Sequence, residues 1–241
     1  MNYWPELLRL FLQKFLFDNL GNIKMDFYTS EKKERLTLSQ AIIKFLQVQY
    51  SEYDGLEQRF IQGIWGIFGH GNVSGMSQAL VEYGQDLPYH QPTNEQSMVH
   101  ASTGFARAMR RKATMACTTS IGPGATNMIT GAATATICRI PVLLFPSDYY
   151  ASRYQGDVLQ DLDHLSSSDM SVTDTFRVVS RFYDRITRPE QILSSLPEAM
   201  RIMTSPSETG AVTIALPQDI QGYAYDYPTS FFKKRVWSIE R

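Results

Sequence analysis

Short apolar runs alternate with amphipathic stretches between residues 36 and 217, and this alternation predicts an α/β domain with a largely parallel sheet. The run at 141–146 is almost wholly apolar, which is typical of a strand covered on both faces. The final run, at 211–217, is expected to close the sheet. The predicted strands span 64–68, 87–91, 113–119, 141–146 and 211–217. The first predicted helix runs through Ala41, Ile42, Phe45 and Leu46, with Thr37 or Ser39 as its cap, and the others span 74–83, 95–111, 125–138 and 188–203.

Three loops that follow predicted strands carry glycines or polar residues, and they span 69–72, 94–96 and 120–124. Because ligands of open α/β sheets sit outside the carboxyl ends of the strands, we expect these loops to lie together on one edge. Residues 147–174 are polar and show little periodicity, which predicts a long surface segment.

The N-terminal stretch is apolar, but four charged residues interrupt it. No run therefore approaches the roughly 18 apolar residues of a membrane helix, and no small-residue cleavage site follows. One interpretation of residues 1–35 is an amphipathic docking helix, and another is an unstructured extension in which Met25 is the true start. The charged residues 31–35 are interpreted as a linker. The interrupting residues are Glu6, Arg9, Lys14 and Asp18.

Composition narrows the classes of function. The net charge of −1 over 241 residues gives no electrostatic footprint for nucleic acid. Cys117 and Cys138 lie apart in apolar runs, which predicts small buried residues in a reducing, cytoplasmic compartment and no structural zinc. No glycine-rich dinucleotide fingerprint or P-loop lysine is present, so nucleotide binding is disfavoured.

Glu95 is the main candidate for chemistry, because a carboxylate at a strand-to-helix turn can exchange a proton with a ligand. The alternative is an ordinary first-turn acid that stabilises the helix dipole by about 0.3–1 kcal/mol. His70 lies between two glycines, where it either binds a substrate hydroxyl or bonds to backbone, and both interpretations stay open. His100 is interpreted as a core histidine.

Residues 94–96, 120–127 and 214–220 resemble thiamine-diphosphate-dependent enzymes of the acetohydroxyacid synthase and pyruvate oxidase type. The resemblance covers roughly 36–227 and implies a three-layer, parallel-sheet α/β domain that binds the cofactor's pyrimidine ring. Within it, Glu95 would share a proton with a pyrimidine ring nitrogen. The resemblance also implies a cofactor turn and a substrate loop. The turn comprises Gly122, Pro123, Gly124 and Asn127, and the loop comprises His70, Gly71 and Asn72.

Family members hold Mg²⁺ and the diphosphate on a separate carboxy-terminal domain with a Gly-Asp-Gly motif, which this sequence lacks. The resemblance therefore implies an amino-terminal fragment that is inactive by itself, with 228–241 as the start of a linker to a central domain. A homodimer, a tetramer or an association with a carboxy-terminal chain is expected.

Residues 68–73, 181–191 and 230–236 resemble, within that family, enzymes of bacterial inositol breakdown that open a polyol-derived cyclic dione by carbon–carbon cleavage. Most of the wider family has histidine before the glutamate. Asn94 departs from that pattern, as the inositol enzymes do. Two alternatives stay open, a non-catalytic module that docks on a full-length relative and a relic without function.

Overall fold

The computed structural model describes residues 31–152, 158–162, 167 and 170–239. The predicted N-terminal helix lies outside these residues. Within the described part of the chain, no helix is long and apolar enough to cross a membrane.

The five predicted strands appear in the expected order with helices between them, and six further strands were not predicted. The strands are β1 (Lys33–Thr37), β2 (Gln49–Tyr53), β3 (Leu56–Arg59), β4 (Ile61–Gly66), β5 (Tyr89–His90), β6 (Thr114–Thr119), β7 (Val142–Asp148), β8 (Phe182–Arg185), β9 (Ala211–Pro217), β10 (Ala224–Pro228) and β11 (Arg235–Ser238). The α-helices are α1 (Leu38–Gln47), α2 (Gln78–Tyr83), α3 (Glu95–Ala108), α4 (Pro123–Thr126), α5 (Ile129–Ile137) and α6 (Ile192–Thr204).

Six of these strands form one sheet in the order β5-β4-β6-β7-β9-β8, and every pairing in it is parallel. The predicted parallel sheet is therefore confirmed. The chain moves from β4 outward to β5 and then returns to place β6 on the other side of β4. Strand order thus reverses beside β4, and such a switch point opens a crevice at the carboxyl ends of the strands.

Helices cover both faces of the sheet. Successive side chains of a strand point to opposite sides, so alternate residues of one strand pack in two different clusters. Leu143 and Phe145 of β7 pack in one core cluster with residues of α1 and α6. Val142 and Leu144 of the same strand pack in a second cluster with residues of α3 and α5. The result is the three-layer arrangement of helices, sheet and helices.

The edges of the sheet differ from the prediction. Strand β9 lies between β7 and β8, so the short strand β8 forms the edge that β9 was expected to form. With the sequence Phe-Tyr-Asp-Arg, β8 is only four residues long and mixes apolar and charged side chains, so no periodicity reveals it. Two smaller sheets were also missed. They are the antiparallel pair β1-β10 and the three-stranded sheet β11-β2-β3.

Helix α1 begins as the sequence predicts. Thr37 is the N-cap: its Oγ1 accepts a hydrogen bond from the Gln40 backbone N–H, and the Gln40 side chain accepts one from the Thr37 N–H. This reciprocal pair is a capping box, so the choice between the two predicted caps falls on Thr37. Strand β1 includes Lys33–Arg35, within the stretch interpreted as a linker.

The segment 147–174 is not the surface excursion that its polarity predicts, at least at its two ends. Ser147 and Asp148 are buried in β7, and Ser171 and Thr173 are buried beside them. These polar side chains are buried because they are hydrogen-bonded: Ser147 Oγ accepts from Gln221 Nε2 at 3.2 Å, and the other three bond to one another. Thr173 Oγ1 donates to Asp148 Oδ2 over 2.9 Å, and Ser171 donates to Asp148 Oδ1.

Two glycines on neighbouring helices give a matched prediction of stability. A Cβ on Gly131 of α5 would meet the Val99 side chain at 2.6 Å, whereas a Cβ on Gly104 of α3 would have nothing within 4 Å. We expect Gly131→Ala to destabilise the domain by about 1–3 kcal/mol through overpacking. Gly104→Ala is expected to stabilise it by about 0.5–1 kcal/mol through helix propensity. Urea unfolding of both variants measures the difference, and equal effects would contradict the close α3–α5 packing.

Candidate functional site

Glu95 is the first residue of α3, and Asn94, directly before it, is the N-cap of this helix. The Asn94 side chain accepts a hydrogen bond from the Ser97 N–H at 3.1 Å, and Ser97 Oγ donates to the Asn94 carbonyl at 2.8 Å. Asparagine is a favoured N-cap because its side-chain oxygen satisfies an amide that the helix leaves unpaired. The cap therefore fixes the point from which the Glu95 carboxylate projects.

Asn127 holds one oxygen of that carboxylate. Its Nδ2 donates to Glu95 Oε2 over 2.7 Å, from a position directly after the short helix α4. The other oxygen, Oε1, faces Gly124, where a Cβ would lie 3.5 Å from it. The carboxylate is half-buried and oriented by an uncharged donor.

The turn 120–124 requires glycine at positions 122 and 124. Gly122 has φ +59°, and a Cβ there would lie 1.9 Å from the Gln160 carbonyl oxygen. At Gly124 a Cβ would lie 2.7 Å from Thr119 Oγ1, a buried hydroxyl without a hydrogen-bond partner among the described residues. Both glycines allow backbone to approach where a side chain would collide.

The loop 69–72 is held by hydrogen bonds to its own backbone and to two neighbouring strand ends. Asn72 is buried, and its side chain accepts from the Gly69 N–H at 2.9 Å and donates to the Ile67 carbonyl at 3.2 Å. The Gly71 N–H donates to Ser120 Oγ at 3.3 Å. Asn72 thus braces the loop, while His70 Nε2 is buried and has no partner in the described part of the protein.

Gln221 is a buried residue that sequence reasoning missed. Its Nε2 donates to the carbonyls of Gly71 (2.7 Å) and Leu216 (3.0 Å) and to Ser147 Oγ (3.2 Å). Its Oε1 accepts from the Met76 N–H at 3.3 Å. One amide thereby ties the 69–72 loop to the ends of β7 and β9.

We expect Gln221→Leu to destabilise the protein by about 1–3 kcal/mol, because two buried carbonyls lose their donor. The matched control is Gln78→Leu, since Gln78 is exposed and its Nε2 makes a long bond of 3.4 Å to Glu82. Thermal unfolding of both variants checks the prediction. Equal melting temperatures would mean that Gln221 does not hold the loop.

The three predicted loops meet around a cavity of about 630 Å³, as expected from their positions after parallel strands. Its walls come from the residues after β4, from the first turn of α3 and from the turn after β6, so it lies at the switch point of the sheet. Of the predicted site residues, Glu95, Pro123, Gly124 and Asn127 line it, whereas Gly122, His70, Gly71 and Asn72 are not among its lining residues. The remaining lining residues are Ile67, Phe68, Gly69, Ser120, Thr126 and Gln160.

The lining combines apolar residues, Ile67 and Phe68 among them, with polar ones, and Glu95 is its one ionisable residue among those described. In the same part of the chain, no group of three or more His, Cys, Asp or Glu side chains is placed to hold a metal ion. Cys117 packs against α3, where burial raises the pKa of its thiol to about 12 and a hydrogen bond with Ser102 partly offsets the rise. Cys117 is therefore buried as predicted, whereas Cys138 is half-buried.

A second polar cluster surrounds Asp148 at the carboxyl end of β7. The carboxylate accepts hydrogen bonds from Arg185 Nε at 2.6 Å, the Tyr149 N–H at 3.0 Å and Thr173 Oγ1 at 2.9 Å. Burial lowers the pKa of Arg185, but its attraction to Asp148 and their hydrogen bond outweigh this and leave that pKa raised. Burial also raises the pKa of Tyr183, which bonds to Thr173.

Comparison with known protein families agrees with this fold and with the carboxylate at the start of α3. Residues 53–167 match the family model described as thiamine pyrophosphate enzyme, N-terminal TPP binding domain. This part of the chain therefore matches the N-terminal domain of the thiamine-diphosphate-dependent enzymes, and the resemblance seen in its motifs is confirmed.

Particular relatives share one name. The chain is 55% identical over 207 residues to a 3D-(3,5/4)-trihydroxycyclohexane-1,2-dione hydrolase of Geobacillus thermodenitrificans. It is 53% identical over 207 residues to such a hydrolase, numbered 1, of Bacillus cereus, and 52% identical over the same length to one of Bacillus anthracis. Each match covers 86% of this chain and 32% of the relative, so the chain spans about a third of the length of these relatives.

Proposed function

We propose that this chain supplies the pyrimidine-binding half of a thiamine-diphosphate site in a hydrolase that opens a polyol-derived cyclic dione. The observation that supports this most is the Glu95 carboxylate, oriented by Asn127 and facing a cavity at the switch point of the sheet. The similarity to the dione hydrolases supports the substrate class.

The lining of the cavity supports binding of a flat aminopyrimidine ring. Ile67 and Phe68 offer apolar contact, and the bare backbone of Gly124 leaves room beside Glu95 Oε1. Glu95 would hold a proton at a ring nitrogen while Asn127 keeps the carboxylate oriented. Thiamine diphosphate, when bound, supplies a thiazolium ring that accepts the electron pair released as a carbon–carbon bond breaks.

His70 is proposed to bind a hydroxyl of the substrate. Its Nε2 is a buried hydrogen-bonding atom that the described protein leaves without a partner, and such atoms are costly unless a ligand or water satisfies them. Gly71 and Asn72 contribute by fixing the loop, since their polar groups are engaged within the protein.

Residues 36–227 are proposed as the pyrimidine-binding domain, with residues 1–35 as an extension before it and 228–241 as the approach to a further domain. Mg²⁺ and the diphosphate would then be held by a carboxy-terminal domain, in the same chain or in a separate one. A homodimer or tetramer in the cytoplasm, acting in inositol degradation, completes the proposal.

A chimera tests the proposal. In the Geobacillus hydrolase, the segment matched by this chain is replaced with the corresponding residues of this chain, and this protein is called the chimera below. We expect it to open the cyclic dione when thiamine diphosphate and Mg²⁺ are present, while this chain alone does not. A folded chimera that binds the cofactor but leaves the dione intact would contradict the proposed substrate.

A further inference from the structure

A second cavity lies at the opposite edge of the sheet from Glu95. Its volume is about 240 Å³, and it lies beside the residues that lead into β6 and β9 at their amino ends. We call it the basic cavity, because three consecutive cations line it. Its lining comprises Tyr53, Arg110, Arg111, Lys112, Met203, Thr204, Ser205, Pro206, Thr209 and Ile239.

Among the residues that the structure describes, no acid forms a salt bridge with the cations of the basic cavity. Neither Arg110 nor Arg111 makes a salt bridge to a carboxylate in the described ranges, and Lys112 Nζ lies 5.4 Å from the centre of the Tyr53 ring. Glu208, in the adjoining turn, is instead paired with Arg201. Since the whole chain carries a net charge of only −1, this concentration of positive charge is local.

Backbone strain accompanies the cluster. Arg110 has φ +53° and Arg111 has φ +63°, so two successive arginines adopt the left-handed conformation that glycine adopts most easily. A helix C-terminus such as that of α3 commonly uses glycine in this conformation. Basic side chains at this end of a helix do complement its dipole. Arg107, in the last turn of α3, already supplies that charge, however, so the dipole does not account for two further strained arginines.

We propose that the basic cavity binds the phosphate group of a small phosphorylated ligand. Guanidinium groups match phosphate oxygens with paired hydrogen bonds, and an ammonium adds a compact charge. The volume suits the charged group rather than an entire ligand, because sites for drug-sized molecules measure roughly 300–1,000 Å³. The candidate site at Glu95 has no cation among its described lining residues, so the two sites differ in the charge they attract.

The chain offers a matched control for this proposal. Arg139 follows α5, is exposed like Arg110, and has φ +51°, yet it does not line the basic cavity. Arg110→Gly and Arg139→Gly therefore relieve the same kind of strain, but only the first removes a charge from the cavity. Arg111→Asn is the second test variant, because asparagine tolerates the left-handed conformation and carries no charge.

The experiment titrates inorganic pyrophosphate into the 241-residue chain, with calorimetry for Kd and thermal unfolding for Tm, against sodium chloride at equal ionic strength. We expect pyrophosphate to bind and to raise Tm more than the chloride control does. Loss of one charge-assisted bond should weaken binding at least about tenfold in Arg110→Gly and Arg111→Asn. Arg139→Gly and Glu95→Gln should bind as the parent does.

Two results would overturn the proposal. One is a pyrophosphate effect no larger than that of chloride, which would indicate screening alone. The other is parent-like binding by folded Arg110→Gly and Arg111→Asn, which would place the anion elsewhere. Because neither readout uses ring opening or the Glu95 cavity, both results are independent of the proposed enzyme activity.

Discussion

Glu95→Gln is expected to lower the kcat of the chimera for ring opening by at least about 100-fold, the lower end of what proton transfer by a positioned side chain contributes. Glutamine keeps an oxygen that accepts the Asn127 hydrogen bond but no longer holds a proton for the pyrimidine ring. The orientation of the site is retained, so the variant isolates the chemistry. Steady-state kinetics at saturating thiamine diphosphate and Mg²⁺ measure the effect.

The control for this prediction is Glu198→Gln, which removes an exposed carboxylate that bonds to Arg201. It should leave kcat unchanged. The alternative role of Glu95, stabilisation of the α3 dipole, predicts instead a loss of about 0.3–1 kcal/mol in the free energy of unfolding with an unaltered kcat. Those two outcomes separate catalysis from helix stabilisation.

The largest effect on stability is expected from Asp148→Ala. Arg185 has a side chain only 14% exposed and forms its ion pair with the 1% exposed Asp148. Removal of the carboxylate leaves a buried guanidinium without its counter-charge, which typically costs about 3–5 kcal/mol. Chemical denaturation followed by circular dichroism measures this change in the free energy of unfolding.

Glu208→Ala is the comparison, because its partner Arg201 is exposed and also bonds to Glu198. Exposed ion pairs contribute about 0–1 kcal/mol, so this variant should unfold close to the parent. A similar small effect for both variants would show that solvent reaches the Asp148–Arg185 pair.

Periodicity identified the central strands because they are long or apolar enough to carry a pattern. Strand β7 is buried at all seven positions, and its apolar run predicts a buried strand. Strands β1 and β8 carry charged residues and derive their place from pairing with distant partners, β10 and β9. Such pairings depend on the tertiary fold, so local sequence does not reveal them.

The candidate site was predictable where backbone geometry restricts the residue. Gly122 and Gly124 indicate a close approach of the backbone to neighbouring atoms. Glu95 lies at the start of a helix whose cap residue is recognisable in the sequence. Gln160 and Gln221 carried no such signal. Each is a polar residue whose role follows from contacts with residues more than 30 positions away, Gly122 for Gln160 and Gly71 for Gln221.

Polar sequence misled at residues 147 and 148. Serine and aspartate after an apolar run are typical of a loop, yet both are buried. Ser147 accepts a hydrogen bond from Gln221, and Asp148 accepts bonds from Ser171, Thr173 and Arg185. Burial of a charge is tolerable only when such partners are present, and these partners come close to the charge only in the folded chain.

The role of Glu95 in activating the cofactor is tested most directly by the rate of hydrogen–deuterium exchange at the thiazolium C2–H of thiamine diphosphate bound to the chimera. This rate is read by acid quench and NMR without any substrate. We expect rapid exchange in the parent chimera and exchange at least about 100-fold slower in Glu95→Gln when cofactor occupancy is equal. Equal exchange rates in the two proteins would contradict the assignment of Glu95 as the residue that activates the cofactor.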